Sequence, residues 1–259
     1  MKRSELKTYL DEKFEQYNHR SFIETDPIQL VHRFNRKEDI EIVGLLIATI
    51  AWGKREMIIK SGERMLKIMG DQPYEFVTHY TANALPDFVH RTFNAEDLDF
   101  FFRGLQSIYL RLGSLEAAFA KHDEFPGVKG RIVSFRNEML RTAHEKRSEK
   151  HLSDPSRGSA AKRLNMYLRW MVRKDNSGVD FGIWNSIPTS ELMIPLDVHT
   201  ARVARELNIL KRKQNDWKAL EEIMSVFRKF DPKDPGKYDF SLFGIGAFEG
   251  GQGRLGTAR

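Results

Sequence analysis

The fold class is predicted first from EDIEIVGLLIATIAW, residues 38–52. It is apolar on nearly all sides, which is typical of a helix that runs through the middle of a helical core. Its apolar run is far too short to span a bilayer, which takes about 20 residues. The stretch therefore predicts a buried helix with other helices packed around it.

Helical periodicity also dominates the rest of the chain. Asp26 before Pro27 is typical of a helix start, with the acid as cap and the proline in the first turn. Alternating strand patterns and Asn-Gly or Asp-Gly hairpin signals are missing from the sequence, so we predict an all-α fold. Helices are predicted at 4–17, 38–52, 55–69, 73–79, 96–112, 114–121, 128–148, 160–173, 198–208, 215–230 and 238–247, with irregular segments at 149–159 and 174–196.

The composition limits the class of protein. The chain has 259 residues, of which 41% are hydrophobic and 30% are charged, as expected of a globular protein. It has no cysteine, which excludes disulfides, thiol catalysis, cysteine-bound zinc and iron–sulfur clusters. The N-terminus lacks the apolar core of a signal peptide. We therefore expect a cytoplasmic protein that needs no cofactor and has no membrane partner.

The charge favours a polyanionic partner. The formal net charge is +6 and the sequence pI is near 9.4. Basic residues crowd 146–174 and 202–213, whereas the N-terminal half is mixed in sign. An evenly solvated surface would not need this clustering, so nucleic acid is the favoured partner.

The predicted helix AAKRLNMYLRWMVRK, residues 160–174, carries a basic face. Lys162, Asn165, Arg169 and Arg173 recur three or four positions apart. One interpretation is an amphipathic helix with a solvated basic stripe. The other starts from Lys162, which lies in the first turn after Arg157-Gly158-Ser159, a good phosphate site. There, exposed N–H groups and further cations would favour the neutral, nucleophilic amine of a lysine.

The stretch IPLDVHTARVAREL, residues 194–207, begins the next helix of interest. Asp197 precedes this helix and Thr200 follows three positions later, a pattern typical of an N-cap. Taken alone, the stretch favours capping as the function of Asp197. A cap also fixes its carboxylate in place, so capping and catalysis are compatible.

The pairing of GSAAKRLNMYLRW with IPLDVHTARVAREL resembles the helix-hairpin-helix (HhH-GPD) DNA glycosylase superfamily, which includes endonuclease III and the 8-oxoguanine glycosylases. In that family a glycine hairpin and a catalytic lysine open one helix, and a V/L-D-x-H-x-x-R segment opens the next. EIVGLLIATIAWGKRE (41–56) and KYDFSLFGIGAF (237–248) also resemble family segments. The likeness runs with gaps from about 38 to 248, and the whole pattern looks like a bacterial family of unknown function in which KRLNMFLRWMVR and PLDTH recur.

This resemblance implies a fold and a partner. The fold would be one helical domain over 1–250, with one lobe from 1–50 and 205–250, a middle lobe from about 51–200, and a cleft between the lobes. A flexible tail, 251–259, would follow. The expected partner is double-stranded DNA with a damaged base in the bacterial nucleoid, bound by a monomer, and the lysine helix favours an oxidised purine as the lesion.

The resemblance also implies which residues are catalytic, which contact DNA and which form the base pocket. Lys162 would attack C1′ of the sugar, form a Schiff base and permit strand cleavage, and the Asp197 carboxylate would stabilise the developing positive charge. The implied DNA contacts are Arg157, Gly158, Ser159, His199, Arg202, Lys54, Arg55 and Arg169. The implied base pocket contains Trp52, Trp170, Asp239 and Phe240.

The sequence departs from the family pattern at two places, and the first of them, the altered hairpin, favours a rival hypothesis. The hairpin normally reads G-x-G with the lysine two positions later, whereas here Gly158 stands alone and Lys162 is four positions beyond it. Residues 174–190 also look like an insertion. The alternative is a non-catalytic DNA- or RNA-binding protein that retains the fold, and a third hypothesis is a structural or protein-binding helical domain.

Further residues have two interpretations each. His199 could bind a metal with Asp197, although a metal site needs three or more protein ligands. The other interpretation is that His199 and Arg202 pack beneath Asp197 or touch phosphate. Residues 52–55, Trp-Gly-Lys-Arg, are either a capped helix end or a loop that enters the duplex. Of the aromatic residues Trp170, Trp184, Phe240 and Phe243, we expect at most one to stack on an extruded base.

Overall fold

The structure, a computed structural model, describes residues 1–82, 87–121, 124–174 and 176–249. These residues are mostly helical, which confirms the all-α prediction. The α-helices are α1 (Arg3–Tyr17), α2 (Ser21–Thr25), α3 (Lys37–Ile50), α4 (Arg55–Ile68), α5 (Pro73–Thr78), α6 (Ala95–Leu112), α7 (Leu115–Ala120), α8 (Gly127–Leu140), α9 (Lys162–Val172), α10 (Val198–Glu206), α11 (Trp217–Phe230) and α12 (Tyr238–Gly244).

Shorter elements connect these helices. A two-residue hairpin pairs β1 (Val89–His90) with β2 (Phe93–Asn94) in antiparallel register. Its strands are too short to produce an alternating pattern in the sequence. Turns of 3-10 helix lie at Pro27–Arg33, Lys146–His151, Pro155–Arg157, Thr189–Glu191 and Pro235–Lys237, and a turn of π-helix lies at Ile245–Glu249.

Helix α3 forms the centre of the core, as predicted. Every residue from Ile40 to Ile50 is buried. The Glu41 carboxylate accepts hydrogen bonds from the Tyr109 hydroxyl at 2.7 Å and from the Trp184 indole N–H at 2.7 Å. The second contact holds Trp184 in the core, so this tryptophan is not one that stacks on a base. Burial raises the pKa of Glu41, although these donors oppose the shift.

Helix α9 packs closely against α3, and Gly44 permits the approach. A Cβ atom at Gly44 would lie 3.0 Å from the Met171 Cε and 3.2 Å from the Tyr167 ring. The Tyr167 hydroxyl donates to the Glu41 carbonyl oxygen at 3.1 Å. These contacts fix the height and rotation of α9, and therefore the position of Lys162 at its first turn.

The two ends of the described chain meet. The Ser241 hydroxyl on α12 donates to the Leu10 carbonyl on α1 at 2.7 Å, and the Tyr238 hydroxyl donates to Asp11 at 2.9 Å. One cluster of buried apolar side chains runs from α1 to the end of α12. The predicted tail, 251–259, lies outside the described residues.

The helix predicted over 128–148 is too long. α8 ends at Leu140, and the chain resumes as the 3-10 turn Lys146–His151. Tertiary contacts explain the break, because the Ser148 hydroxyl donates to Asp97 at 2.6 Å and the Arg147 guanidinium donates to it at 2.9 Å. Within the described residues, no helix is both long and apolar enough to cross a membrane.

Candidate active site

Lys162 is the first residue of α9 and follows an unusual turn. Gly158 has φ +90° and Ala161 has φ +46°, so both adopt left-handed backbone conformations. Ala161 tolerates this region less well than glycine would. Its N–H donates to the Ser159 hydroxyl at 3.2 Å, and the buried Asn165 side chain donates to the Ala160 carbonyl at 2.9 Å.

The same turn is attached to a second helix. The Trp217 N–H at the start of α11 donates to the Gly158 carbonyl at 2.9 Å, and Ser159 forms an isolated antiparallel bridge with Asp216. A single glycine, Gly158, is therefore sufficient for an ordered turn that leads directly into Lys162.

Asp197 is the N-cap of α10, as the sequence predicts. One carboxylate oxygen, Oδ1, accepts from the backbone N–H groups of His199 and Thr200, both at 2.9 Å. The other, Oδ2, lies 3.0 Å from the Lys162 Nζ. The side chains retain 36% exposure for Lys162 and 23% for Asp197, so a ligand can reach both. Two helix starts therefore meet at one ion pair.

The surroundings of Asp197 favour its ionised form. Burial opposes ionisation, but the Lys162 charge and the hydrogen bond from Thr200 outweigh it and lower the pKa of Asp197. The carboxylate is therefore charged at neutral pH, and its cap holds it in one orientation.

A cavity of about 540 Å³ opens beside this ion pair. Charged and aromatic side chains line much of it, and several of the predicted pocket residues are among them. The acids are Asp26, Asp197 and Asp239; the cations are Arg55, Lys162 and Arg169; the rings are Phe22, Trp52, Trp170, Phe240 and Phe243; His199 lies at the same wall.

Arg169 and Asp239 form a buried ion pair at the cavity wall. Burial raises the pKa of Asp239 to about 6, and the Arg169 charge opposes that shift. The Arg169 guanidinium also lies 4.3 Å from the centre of the Phe240 ring. Arg169 thus lies inside the protein and not on the solvated basic face that the sequence predicts.

Arg173 is also buried, so the interpretation of α9 as an amphipathic helix with a solvated basic stripe is wrong. Asp180 is fully buried and contacts both cations, at 3.2 Å from the Arg169 Nε and 3.0 Å from the Arg173 Nη1. Asp234 adds a contact to Arg173 at 2.9 Å. The segment that looks like an insertion therefore supplies the charge that balances two internal arginines.

Other predicted DNA-contacting residues lie outside the cavity lining. The Arg157 side chain is 86% exposed, and Lys54 and Ser159 are exposed too. Arg202 is exposed and pairs with Glu206 at 2.9 Å, so it does not pack beneath Asp197, and the alternative contact with phosphate stays a prediction.

His199 is exposed, so it does not pack beneath Asp197 either. Its position at the cavity wall leaves open a contact with a ligand. Across the described residues, no group of three or more histidine, aspartate or glutamate side chains could hold a metal ion.

Residues 51–54 connect α3 to α4, and Arg55 is the first residue of α4. Gly53 has φ +101°, which agrees with the predicted end of a helix, whereas entry of this loop into a duplex stays a prediction. Trp52 lines the cavity and stacks on His151, with ring centres 5.9 Å apart. Burial lowers the pKa of His151 to about 4, so this imidazole is neutral behind the tryptophan.

Sequence reasoning missed Asp26 and Phe22 as cavity residues. Asp26 is the predicted cap, and its carboxylate accepts from the Ile28 N–H at 3.0 Å. The Phe22 ring makes edge contacts with Phe240 and Phe243, each with ring centres 5.6 Å apart. The Asp-Pro pair signals a cap, but only the packing of α2 against α12 brings these residues to the cavity.

Together, these features define a helical protein with a lysine–aspartate ion pair at a cavity lined by acids, arginines and aromatic rings. Residues 26–248 match a family model described as "Protein of unknown function (DUF2400)", and the chain belongs to this family. The matched range contains every cavity-lining residue except Phe22. No curated protein and no solved structure matches the chain.

Proposed function

We propose that the protein is a DNA glycosylase with AP-lyase activity that removes a damaged base, with oxidised purines as the favoured lesions. The observation that carries the proposal is the 3.0 Å contact between the Lys162 Nζ and the Asp197 Oδ2 at the cavity. A fixed carboxylate can stabilise the positive charge that develops when a C1′–N bond breaks, and an amine nucleophile beside it can attack C1′ and form the Schiff base that strand cleavage needs.

The chemistry follows from these two groups. The C1′–N bond breaks and its electron pair leaves with the base, which takes up a proton, while the Asp197 carboxylate stabilises the positive charge on the sugar. The Lys162 amine, having given up a proton, bonds to C1′, and opening of the sugar ring yields a Schiff base. Loss of a C2′ proton then expels the 3′ phosphate, and water hydrolyses the imine to release the lysine.

The cavity supports a role in binding an extruded base. Enzymes that act on a base in duplex DNA rotate it out of the stack into a pocket that offers stacking and polar contacts. Trp52, Phe240 and Phe243 provide aromatic surfaces here, and Asp239 provides a polar group among them. Such a lining would suit a flat, polar heterocycle.

The proposal extends to the fold and the DNA path. We assign the two-lobed HhH-GPD architecture, with a DNA duplex across the cavity mouth and its phosphates near the N-termini of α9 and α10. The turn at Gly158 would act as the hairpin, with contacts from the exposed Arg157 and Lys54. The expected setting is the bacterial cytoplasm and nucleoid, and the acting form is the monomer.

The second candidate is a non-catalytic DNA- or RNA-binding protein that retains this fold. One observation favours it: Lys162 is ion-paired with Asp197, and an ammonium group must lose its proton before it can attack. In that case neither residue is needed for nucleic-acid binding, and Asp197→Asn should leave both the affinity and any cellular phenotype unchanged.

Borohydride trapping tests the proposal. The protein is incubated with duplexes carrying an abasic site or one of a panel of lesions, and reduction should then link it covalently to DNA. Lys162→Gln should abolish the adduct, and Asp197→Asn, which keeps a good cap, should reduce base excision by at least about 100-fold. Lys60→Gln, an exposed lysine on α4, is the matched control and should trap normally.

Two results would contradict the proposal. Undiminished trapping by Lys162→Gln would remove the lysine from the mechanism. If the unmodified protein formed no adduct and excised no base from any duplex in the panel, the proposed enzymatic activity would be rejected. Retained affinity for DNA would then favour the second candidate.

A further inference from the structure

Asn165 lies buried in the first turn of α9 and contacts the chain on both sides of Ala161. Its side-chain Nδ2 donates to the Ala160 carbonyl at 2.9 Å, and its backbone N–H donates to the Ala161 carbonyl at 2.9 Å. One residue therefore holds both peptide groups that flank the Ala161 Cα. The second of these groups includes the backbone nitrogen of Lys162, so the contacts act directly on the start of that residue.

The backbone conformation held in this way is one that alanine avoids. Ala161 has φ +46° and ψ +43°, in the left-handed region, where the Cβ atom of an L-residue lies too close to the following carbonyl oxygen. Such a conformation persists only where the surrounding contacts fix it. Here they are the two hydrogen bonds from Asn165 and the bond from the Ala161 N–H to the Ser159 hydroxyl at 3.2 Å.

Stability alone does not explain an amide at position 165. The residue is fully buried, and its Oδ1 has no hydrogen-bond partner among the residues that the structure describes. An unpaired buried acceptor costs free energy, so an apolar side chain of similar size would serve as well if packing were its only task. The part of the amide that is used is the donor to the Ala160 carbonyl.

We propose that Asn165 is a positioning residue for Lys162: its amide holds Ala161 in the left-handed conformation and thereby places the lysine amine against Asp197. The inference rests on the proposed glycosylase function, in which this amine is the nucleophile. Lys162 directly follows Ala161, and its Nζ lies 3.0 Å from the Asp197 Oδ2. Asp197 is fixed separately by its cap on α10, so release of the turn would displace the lysine and leave the carboxylate in place.

Two substitutions and their combination test this link. Asn165→Leu removes the donor with little change in volume, and Ala161→Gly removes the steric penalty of the left-handed conformation. If the amide acts through Ala161, its loss should matter less once glycine occupies that position. Ser241→Ala is the matched control, because it removes another buried hydrogen bond to a backbone carbonyl, that of Leu10 at 2.7 Å, and lies outside the cavity lining.

The first measurement is the rate of borohydride trapping on an abasic duplex at saturating protein, with the Kd for the duplex measured separately. Asn165→Leu should slow trapping by about 10- to 100-fold and leave the Kd unchanged, because a displacement of about 1 Å at a reacting group can cost 100-fold in rate. In the Ala161→Gly background the loss should be about 5-fold smaller, which corresponds to the penalty for alanine in the left-handed region. Ser241→Ala should trap at the unmodified rate.

The second measurement needs no DNA. Burial raises the pKa of Asp197, and the Lys162 charge together with the hydrogen bond from Thr200 lowers it by more. This pKa, read from the carboxyl carbon by NMR over a pH series and assigned with Asp197→Asn, therefore reports how close the amine lies. It should rise in Asn165→Leu, return towards the unmodified value in the double variant and stay unchanged in Ser241→Ala. If Asn165→Leu does not fold, Asn165→Ala provides the same comparisons.

Three results would overturn the inference. A folded Asn165→Leu protein with an unchanged trapping rate and an unchanged pKa of Asp197 would do so. An equal effect of Asn165→Leu with alanine and with glycine at position 161 would show that the amide does not act through that backbone. Equally slow trapping in Ser241→Ala would indicate a general loss of stability in place of a positioning role.

Failure of the proposed function would look different. The unmodified protein would then trap on no duplex, whereas the pKa of Asp197 would still rise in Asn165→Leu and recover in the double variant. That result would support the placement of Lys162 by Asn165 and would withdraw only the glycosylase chemistry.

Discussion

Asp197 uses its two oxygens for two purposes. One oxygen caps α10 and the other contacts Lys162, so the cap that holds the helix also aims the carboxylate. A group fixed in advance needs no reorganisation when charge develops nearby, which is the main advantage of a preorganised site. The sequence is sufficient to predict the cap. The 3.0 Å contact depends on how α9 and α10 pack.

The raised pKa of Asp239 should make the free energy of unfolding depend on pH. Its pKa is raised from 3.8 to about 6, so between these values the folded chain holds a proton that the unfolded chain has released. The stabilisation from this group is therefore fully present below pH 3.8 and is lost as the pH rises through 6. Relative to Asp239→Asn, the free energy of unfolding of the unmodified protein should fall by about 3 kcal/mol over this range.

Urea unfolding of both proteins at a series of pH values measures this difference, since the other titrating groups contribute to both. A difference that is independent of pH, or that grows as the pH rises, would contradict the raised pKa of Asp239.

At the scale of elements, α9 depends on the irregular segment that follows it. Arg169 and Arg173 are spaced as on a solvated stripe, which is one of the two interpretations that the sequence allows. In the structure both cations lie inside the protein. Asp180, in the loop after α9, contacts both of them. Asp239 on α12 contacts Arg169, and Asp234, in the turn before α12, contacts Arg173. Partners that are distant in the sequence leave no periodic signal.

Removing Asp180 should therefore be costly. Asp180→Asn leaves two buried guanidinium groups without their shared counter-charge, and the loss of one partner from a buried ion pair typically costs about 3–5 kcal/mol. Urea unfolding at neutral pH measures the loss. Glu63→Gln, which breaks the exposed pair with Arg33, is the control and should cost at most about 1 kcal/mol. Similar costs for the two variants would show that the internal network adds little.

At the scale of the whole molecule, the net charge of +6 does not map onto one basic surface. Part of the basic cluster over 146–174 is internal, while Arg157, Lys146 and Lys150 stay exposed. An interaction with DNA would therefore depend on fewer cations than the sequence total indicates, and on the helix N-termini beside the cavity.

Salt-dependent binding measures that interaction. The affinity for duplex DNA should fall linearly with salt on logarithmic axes, and Arg157→Gln should reduce the slope by about 0.9 if the residue contacts one phosphate. Fluorescence anisotropy over a salt series gives the slope. Arg33→Gln, already paired with Glu63, should leave it unchanged. Binding without any salt dependence would favour a structural or protein-binding role.

Most of the longer helices and the caps Asp26 and Asp197 were predictable from the sequence, because apolar periodicity and capping residues act over one or two turns. The short helix α2 was not predicted. The sequence also marked Lys162, Asp197, Asp239 and Trp52. It did not predict the end of α8 at Leu140, since contacts with Asp97 decide it.

Which of these side chains share a cavity depends on the packing of the helices. Asp26 looks like a simple cap in sequence, and it reaches the site because α2 and the following turn pack near α12. A cap or a helix face depends on residues that are neighbours in the sequence. A cavity is formed by side chains from distant parts of the chain, and their approach depends on the packing of the whole core.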